Sequence, residues 1–302
     1  METRSTAASL LVSLRPDQWT KNLIVFAALI FSRQLLDPAA LALASAAFLI
    51  FCALSGAVYL INDVSDREAD RQHPLKQRRP IASGTLSPAT ALTGAAVLSV
   101  AALASAFALK PLLAWTAAAY LTLFVLYTRW LKHIVVLDVM SIAIGFVLRA
   151  VAGGVIIGVP VSDWLLVCTL LGALFLGLAK RRHEITLLAD GAKGHRRILE
   201  EYDPYLLDQM IAVVAAATLV AYVIYCVSPE THAYFGTDWL VLTTPFPIYG
   251  LFRYLYLVHR KEGGGSPSEM LLVDRPLLGC VALWGVAVVV IIYRPLGLVT
   301  GY

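Results

Sequence analysis

Apolar runs of membrane-spanning length alternate with short polar clusters along the chain, and Pro, Gly and charge mark the breaks between them. Those breaks predict helices over residues 20–36, 39–61, 88–109, 112–130, 134–157, 163–180, 205–228, 238–258 and 276–293. A helix needs about 20 mostly apolar residues to cross a bilayer. The pattern therefore predicts an all-α, polytopic membrane protein of nine transmembrane helices, forming a single domain over residues 1–302. The first run departs most from the pattern. Its continuous apolar core at 23–32 is short, Lys21 and Arg33 bracket it closely, and it reads equally as a half-buried segment. The apolar stretch at 10–14 is too short and too poorly patterned for a cleavable signal, so the N-terminus is expected to be retained.

Composition agrees with the pattern. A chain of 302 residues that is 59% hydrophobic, with a mean hydropathy of +0.75, is too apolar for a soluble globular domain. Charge then gives direction. A cytoplasmic N-terminus puts Arg4, Arg15, Lys21, the five cations after Asp66, Arg129, Lys132, the cations from Lys180 to Arg197 and those from Arg253 to Arg275 on the inside. Of the 24 Lys and Arg, this leaves only Arg33, Lys110 and Arg294 outside and Arg149 within a span. Orientation and anionic substrates explain these basic loops, and no nucleic-acid partner is expected. Cys52, Cys168, Cys226 and Cys280 each stand alone in an apolar span and read as packing residues. The six histidines are scattered without zinc-site spacing, and no Gly-rich phosphate loop or nucleophile elbow is present. The glycines at 263–265 read as a flexible connection before the last span.

The polar cluster richest in chemistry is NDVSDREADRQHPLKQRRP at residues 62–80, where a tight acidic group and then a dense basic run close a very apolar segment. On a helix Asn62, Asp66, Asp70 and Asp63 fall at about 0°, 40°, 80° and 100°, while Glu68 points away at about 240°. Four oxygen-bearing side chains thus share one face. Hard oxygen donors in an incomplete shell suit Mg²⁺, which keeps waters and substrate phosphate oxygens as its remaining ligands. Arg67, Arg71, Lys76, Arg78 and Arg79 add positive charge within a few residues. Such a cluster fits a diphosphate at a membrane surface. A solvated loop of mixed charge is the plainer reading, and the shared face beside a membrane span weighs against it.

A second polar cluster, Lys180, Arg181, Arg182, His183 and Glu184, closes the sixth predicted span, and His195, Arg196 and Arg197 follow it. Its four-helix offset from the first loop suggests two related bundles around a central cavity. The positive-inside bias alone would also place cations there. At the same level, Arg15 to Asn22 carries Trp19 and Lys21, which suit either interfacial anchoring or substrate contact, and Tyr127, Arg129, Lys132 and His133 follow the fourth span. Asp138 and Arg149 lie eleven residues apart in span five, near one helical face, and read either as a structural ion pair or as site residues.

NDVSDREAD at residues 62–70 resembles the NDxxDxxxD motif of the UbiA superfamily of intramembrane prenyltransferases, which implies a nine-helix fold with a cytoplasm-facing central cavity. RPDQWTKN at 15–22, HPLKQRRPIASG ending at Gly84, LKHIVVLD from Leu131, LRAVAGG from Leu148 and AKRRHE from Ala179 resemble the decaprenyl-phosphate phosphoribosyltransferase branch. That branch implies Mg²⁺-dependent transfer of 5-phosphoribose from phosphoribosyl diphosphate to a polyprenyl phosphate, releasing diphosphate, in lipid-linked precursor synthesis for the cell envelope. It also implies a place among the membrane lipids of a bacterial plasma membrane with the active loops cytoplasmic, and a homo-oligomer is compatible with it.

Aromatic prenyltransferases of this superfamily carry a second Asp-rich motif after helix six, where this chain has Lys180, Arg181, Arg182 and Glu184. Two anionic partners would need such cations. By this resemblance Asn62, Asp63, Asp66 and Asp70 hold Mg²⁺, and Asp63, Asp66 and Asp70 are the catalytic carboxylates that help the diphosphate leave. Arg71, Lys76 and Arg79 bind the diphosphate or the 5-phosphate, Lys21, Lys132, Lys180 and Arg181 position phosphates of either substrate, and Glu184 orients those cations or a ribose hydroxyl. Two other readings use the same loops: transfer of a prenyl chain to an aromatic acceptor, and a polyprenyl-phosphate carrier without chemistry.

Overall fold

The computed structural model describes residues 5–74, 76–189, 198, 201–260, 270 and 273–293. His195, Arg196, Arg197 and the glycines at 263–265 lie outside them. Every regular element among the described residues is helical: α1 (Thr6–Ser13), α2 (Ala27–Phe31), α3 (Pro38–Ser65), α4 (Arg67–Gln72), α5 (Pro80–Ser83), α6 (Pro88–Leu109), α7 (Pro111–Arg129), α8 (Leu137–Ile157), α9 (Asp163–Ala189), α10 (Pro204–Val227), α11 (Pro229–Phe235), α12 (Pro245–Arg260) and α13 (Arg275–Ile292). A proline in the first turn starts many of them. It supplies a preset φ where no N–H is needed, and the residue before it often caps: Asp37 accepts from Ala39 and Ala40, Ser87 from Thr90, Asp203 from Leu206.

Among the described residues seven helices are long and apolar enough to cross a membrane: α3, α6, α7, α8, α9, α10 and α13. The two remaining predicted spans do not form long helices. Residues 20–36 divide between a 3₁₀ segment, Pro16–Phe26, and the short α2, and residues 238–258 divide between a 3₁₀ turn at Trp239–Thr243 and α12. In the second case Pro245 has no N–H to return to the preceding turn, so the run breaks there. Three boundaries also move by three residues or more: α3 runs on to Ser65, α8 begins at Leu137, and α9 continues past residue 180 to Ala189.

The helices bury two main apolar clusters. Val25, Phe51, Leu54, Ala117, Tyr120, Ala152 and Ile156 join the 3₁₀ segment to α3, α7 and α8. Val139, Phe175, Leu178, Leu207, Ile211, Tyr254, Leu257 and Leu277 join α8 to α9, α10, α12 and α13. Helix α8 thus serves both clusters from its two ends. The 3₁₀ segment comes close enough to α8 that a Cβ on Gly153 would stand 2.0 Å from the Val25 carbonyl oxygen, an approach only glycine permits.

At the end of α3 remote from the acidic loop, the Tyr293 hydroxyl donates to the carbonyls of Ile30 (3.0 Å) and Leu29 (3.2 Å) and accepts from the Leu35 N–H (2.9 Å). Arg33, in the left-handed region at φ 61°, donates to the Phe235 carbonyl. The last helix and α11 therefore hold the connection between α2 and α3. All four cysteines are free.

Candidate active site

Helix α3 ends at Ser65, and Asp66 breaks it with φ −93° and ψ 5° before α4 starts. The helical phase survives the break, since Asp66 N–H still bonds Asn62 O and Asp70 N–H still bonds Asp66 O, both at 2.8 Å. Asp63 and Asp70 are therefore buried on one side, while Glu68 faces outward and pairs with Arg71, as the helical phase predicts.

Each carboxylate on the inner side meets a cation. Arg79 Nη1 lies 2.6 Å from Asp70 Oδ2 and 3.1 Å from Asp63 Oδ1, so one guanidinium nitrogen bridges the two. Arg15 Nη2 reaches Asp63 Oδ1 at 2.5 Å, and Lys132 Nζ reaches Asp66 Oδ1 at 2.5 Å. Arg15 does so from a left-handed backbone at φ 53°, with its guanidinium over the Tyr59 ring. Only its place in the RPDQWTKN motif marked it in the sequence, because neither helical phase nor spacing relates residue 15 to residue 63.

Among the described residues no three Asp, Glu, His or Cys side chains converge as they stand on one point that could hold a metal ion. The donors nonetheless fit a hard cation. A positive nitrogen already occupies the point between Asp63 and Asp70, and Asn62 Oδ1 is buried without a hydrogen-bond partner. A buried amide oxygen in that condition is costly unless a ligand satisfies it.

The other expected site residues divide between the acidic loop and other surroundings. Arg71 is turned away, with Nε on the Ala82 carbonyl at 3.1 Å and Nη1 on Glu68. The Lys76 N–H donates to His73 Nδ1 in the same outer turn. Lys21 lies in the 3₁₀ segment with the charges of Arg149, Arg15 and Asp17 as neighbours. On α9, Lys180 Nζ stands 3.9 Å from Glu184, and Arg182 pairs with Asp208.

Arg181 is only 3% exposed: its Nε donates to Asp138 Oδ2 at 2.7 Å and its Nη1 to Glu184 at 2.5 Å. Asp138 and Arg149 do not pair with each other. Asp138 takes Arg181 and the Tyr202 hydroxyl, whereas Arg149 donates to Asn22, Tyr120 and the Gly145 carbonyl beneath a set of aromatic rings. Tyr202 also accepts the Val136 N–H at 2.8 Å. Burial, then the hydrogen bond to Asp138, raises its phenol above the usual range. Val136, a β-branched residue at φ 70° and ψ −45°, stores about 1–3 kcal/mol of backbone strain.

The chain matches the UbiA prenyltransferase family over residues 22–273. It is 33% identical over 300 residues to a decaprenyl-phosphate phosphoribosyltransferase of Corynebacterium glutamicum, covering 96% of this chain and 88% of that one. A protein of the same name from Mycobacterium tuberculosis is 35% identical over 283 residues, covering 92% of each. Among solved structures, a UbiA homolog from Archaeoglobus fulgidus bound to DMAPP and Mg²⁺ superposes with a TM-score of 0.72 at 19% identity, over 95% of this chain and 100% of that one, a likeness of fold. A family match across most of the chain, relatives at about a third identity along nearly all of it and the same helical fold make this protein a member of the UbiA prenyltransferase family.

Proposed function

We propose that the protein transfers 5-phosphoribose from phosphoribosyl diphosphate to a polyprenyl phosphate, releasing diphosphate. The observation that carries this reading is the nearly full-length similarity to relatives named for that reaction on decaprenyl phosphate. The site supports it with cations from two regions of the chain: Arg15, Arg79 and Lys132 at the acidic loop, and Lys180 in the C-terminal half of α9. An aromatic acceptor would call for less positive charge.

Asn62, Asp63, Asp66 and Asp70 would hold Mg²⁺. When bound, the ion neutralises the diphosphate and lowers the barrier to its departure. Arg79 and Lys132 then leave their carboxylates and take phosphate oxygens, keeping every buried charge matched. The bond from ribose C1 to the diphosphate oxygen breaks, and its electron pair leaves with the diphosphate. A lipid phosphate oxygen, already ionised near neutral pH, forms the new bond to C1, so no side chain need take a proton. Lys21 and Lys180 steady the remaining phosphate groups. The distribution of Lys and Arg supports an orientation with these loops in the cytoplasm, and the bacterial sources of the relatives support a bacterial plasma membrane.

The test is to incubate purified protein with Mg²⁺, labelled phosphoribosyl diphosphate and polyprenyl phosphate. Label in the lipid fraction is expected. A protein that leaves this donor untouched but prenylates an aromatic acid refutes the assignment and leaves only the family.

A further inference from the structure

The connection from α7 to α8 carries Lys132 to the acidic loop, and its geometry depends on one strained residue. Trp130 leaves α7, Leu131–His133 form a 3₁₀ turn, Ile134 is extended, and Val136 then turns through φ 70° into α8. The Lys132 ammonium, buried at 3% exposure, is delivered to Asp66 from that turn. No valine holds a positive φ without a reason. Here the turn aims the Val136 N–H at the Tyr202 hydroxyl, and that hydroxyl donates its own hydrogen bond to Asp138, which Arg181 anchors from α9. Tyr202 is itself packed in the apolar cluster of α8, α9, α10 and α12, beside Val139 and the partly buried Val135.

We propose that Tyr202 is a positioning residue, whose hydroxyl holds Val136 in its strained turn and thereby places Lys132 at the diphosphate end of the site. The inference rests on the reading of the acidic loop as a diphosphate site. It couples the α9 end of the molecule to that loop, because Arg181 and Asp138 reach Lys132 through Tyr202 and Val136. Loss of the hydroxyl strands the Val136 N–H and lets the valine relax to negative φ. Glycine at 136 has no such strain to relax.

The experiment measures binding of Mg²⁺ with inorganic diphosphate to the full-length protein in detergent, by calorimetry. Tyr202→Phe is expected to weaken binding by about tenfold. In the Val136→Gly background the same change is expected to cost less than about twofold, because the turn no longer needs holding. In a Lys132→Met background it is expected to make no difference, since the group it positions is gone. Wild-type affinity for Tyr202→Phe overturns the proposal, and so does a loss that persists in either background.

Should Tyr202→Phe fail to fold alone, the Val136→Gly pair decides, and a tenfold loss there counts against it. Diphosphate is common to every donor that could use this loop. A protein that binds it and shows these couplings, yet transfers no phosphoribose, refutes the functional reading and leaves Tyr202 in its role.

Discussion

Asp63 touches both Arg15 and Arg79, and those two side chains remain 24% and 26% exposed. Water can reach them if the carboxylate is neutralised, so the fold survives the change while the charge of the site does not. Asp63→Asn, Asp66→Asn and Asp70→Asn are each expected to lower turnover by about a hundredfold or more, Asp63→Asn and Asp70→Asn with thermal unfolding little altered, and Glu68→Gln, on the outer face, by less than about threefold. Near-normal rates in all three asparagine variants at modest Mg²⁺ would remove the carboxylates from the mechanism. Arg181 behaves differently from Lys180 although the two are adjacent. Arg181→Met strips the buried Asp138 of its cation and is expected to cost about 3–5 kcal/mol of stability. Lys180→Met, at a half-exposed side chain, is expected to keep its melting temperature and raise the apparent KM for one phosphorylated substrate by about tenfold. The sequence alone grouped both as phosphate ligands, because position next to a membrane end says nothing about which side chain points into the protein.

Apolar runs bounded by Asp-Pro, Ser-Pro and Lys-Pro made α3, α6, α7 and α10 legible, since the proline and its capping neighbour carry local, chain-level instructions. The acidic face was legible for the same reason: helical phase is a local rule, and the break at Asp66 hardly disturbs it. What escaped is non-local. Hydropathy does not distinguish i+3 from i+4 hydrogen bonding, so the 3₁₀ form of Pro16–Phe26 was hidden, and with it the reach of Arg15 to Asp63. Tyr202 carried no signal, because nothing local in the sequence relates it to Val136 or Asp138. The 3₁₀ segment also sets a sharp steric demand. Gly153→Ala would press a methyl against the Val25 carbonyl and is expected to cost about 1–3 kcal/mol, read as a lower melting temperature in detergent. Gly172→Ala, with open space around it, is the matched control and should be neutral or slightly stabilising. Equal melting temperatures for the two would mean that the segment does not pack on α8 as described.

At the scale of the whole molecule, α8 binds both apolar clusters, so the acidic loop on one side and the α9 end on the other are fixed relative to each other. Which way this assembly faces is testable with single cysteines in a Cys168→Ser background, because the other native cysteines are buried. A membrane-impermeant maleimide is expected to label Glu68→Cys only in inside-out vesicles and Asp238→Cys only in right-side-out ones, and the converse would reverse the orientation. The Tyr293 hydroxyl has a consequence for biosynthesis. Its partner Leu35 lies 258 positions earlier in the chain, so the ribosome must finish almost the whole protein before that bond can form. Until then the Leu35 N–H waits without the partner that the finished molecule gives it, and the Leu29 and Ile30 carbonyls keep only their local bonds from Gln34 and Arg33. A nascent chain released early would keep this defect and present it to membrane proteases, making the last helix a checkpoint for complete synthesis. Tyr293→Phe should mimic the truncated state, and a pulse-chase in cells is expected to show normal synthesis followed by faster loss of the variant.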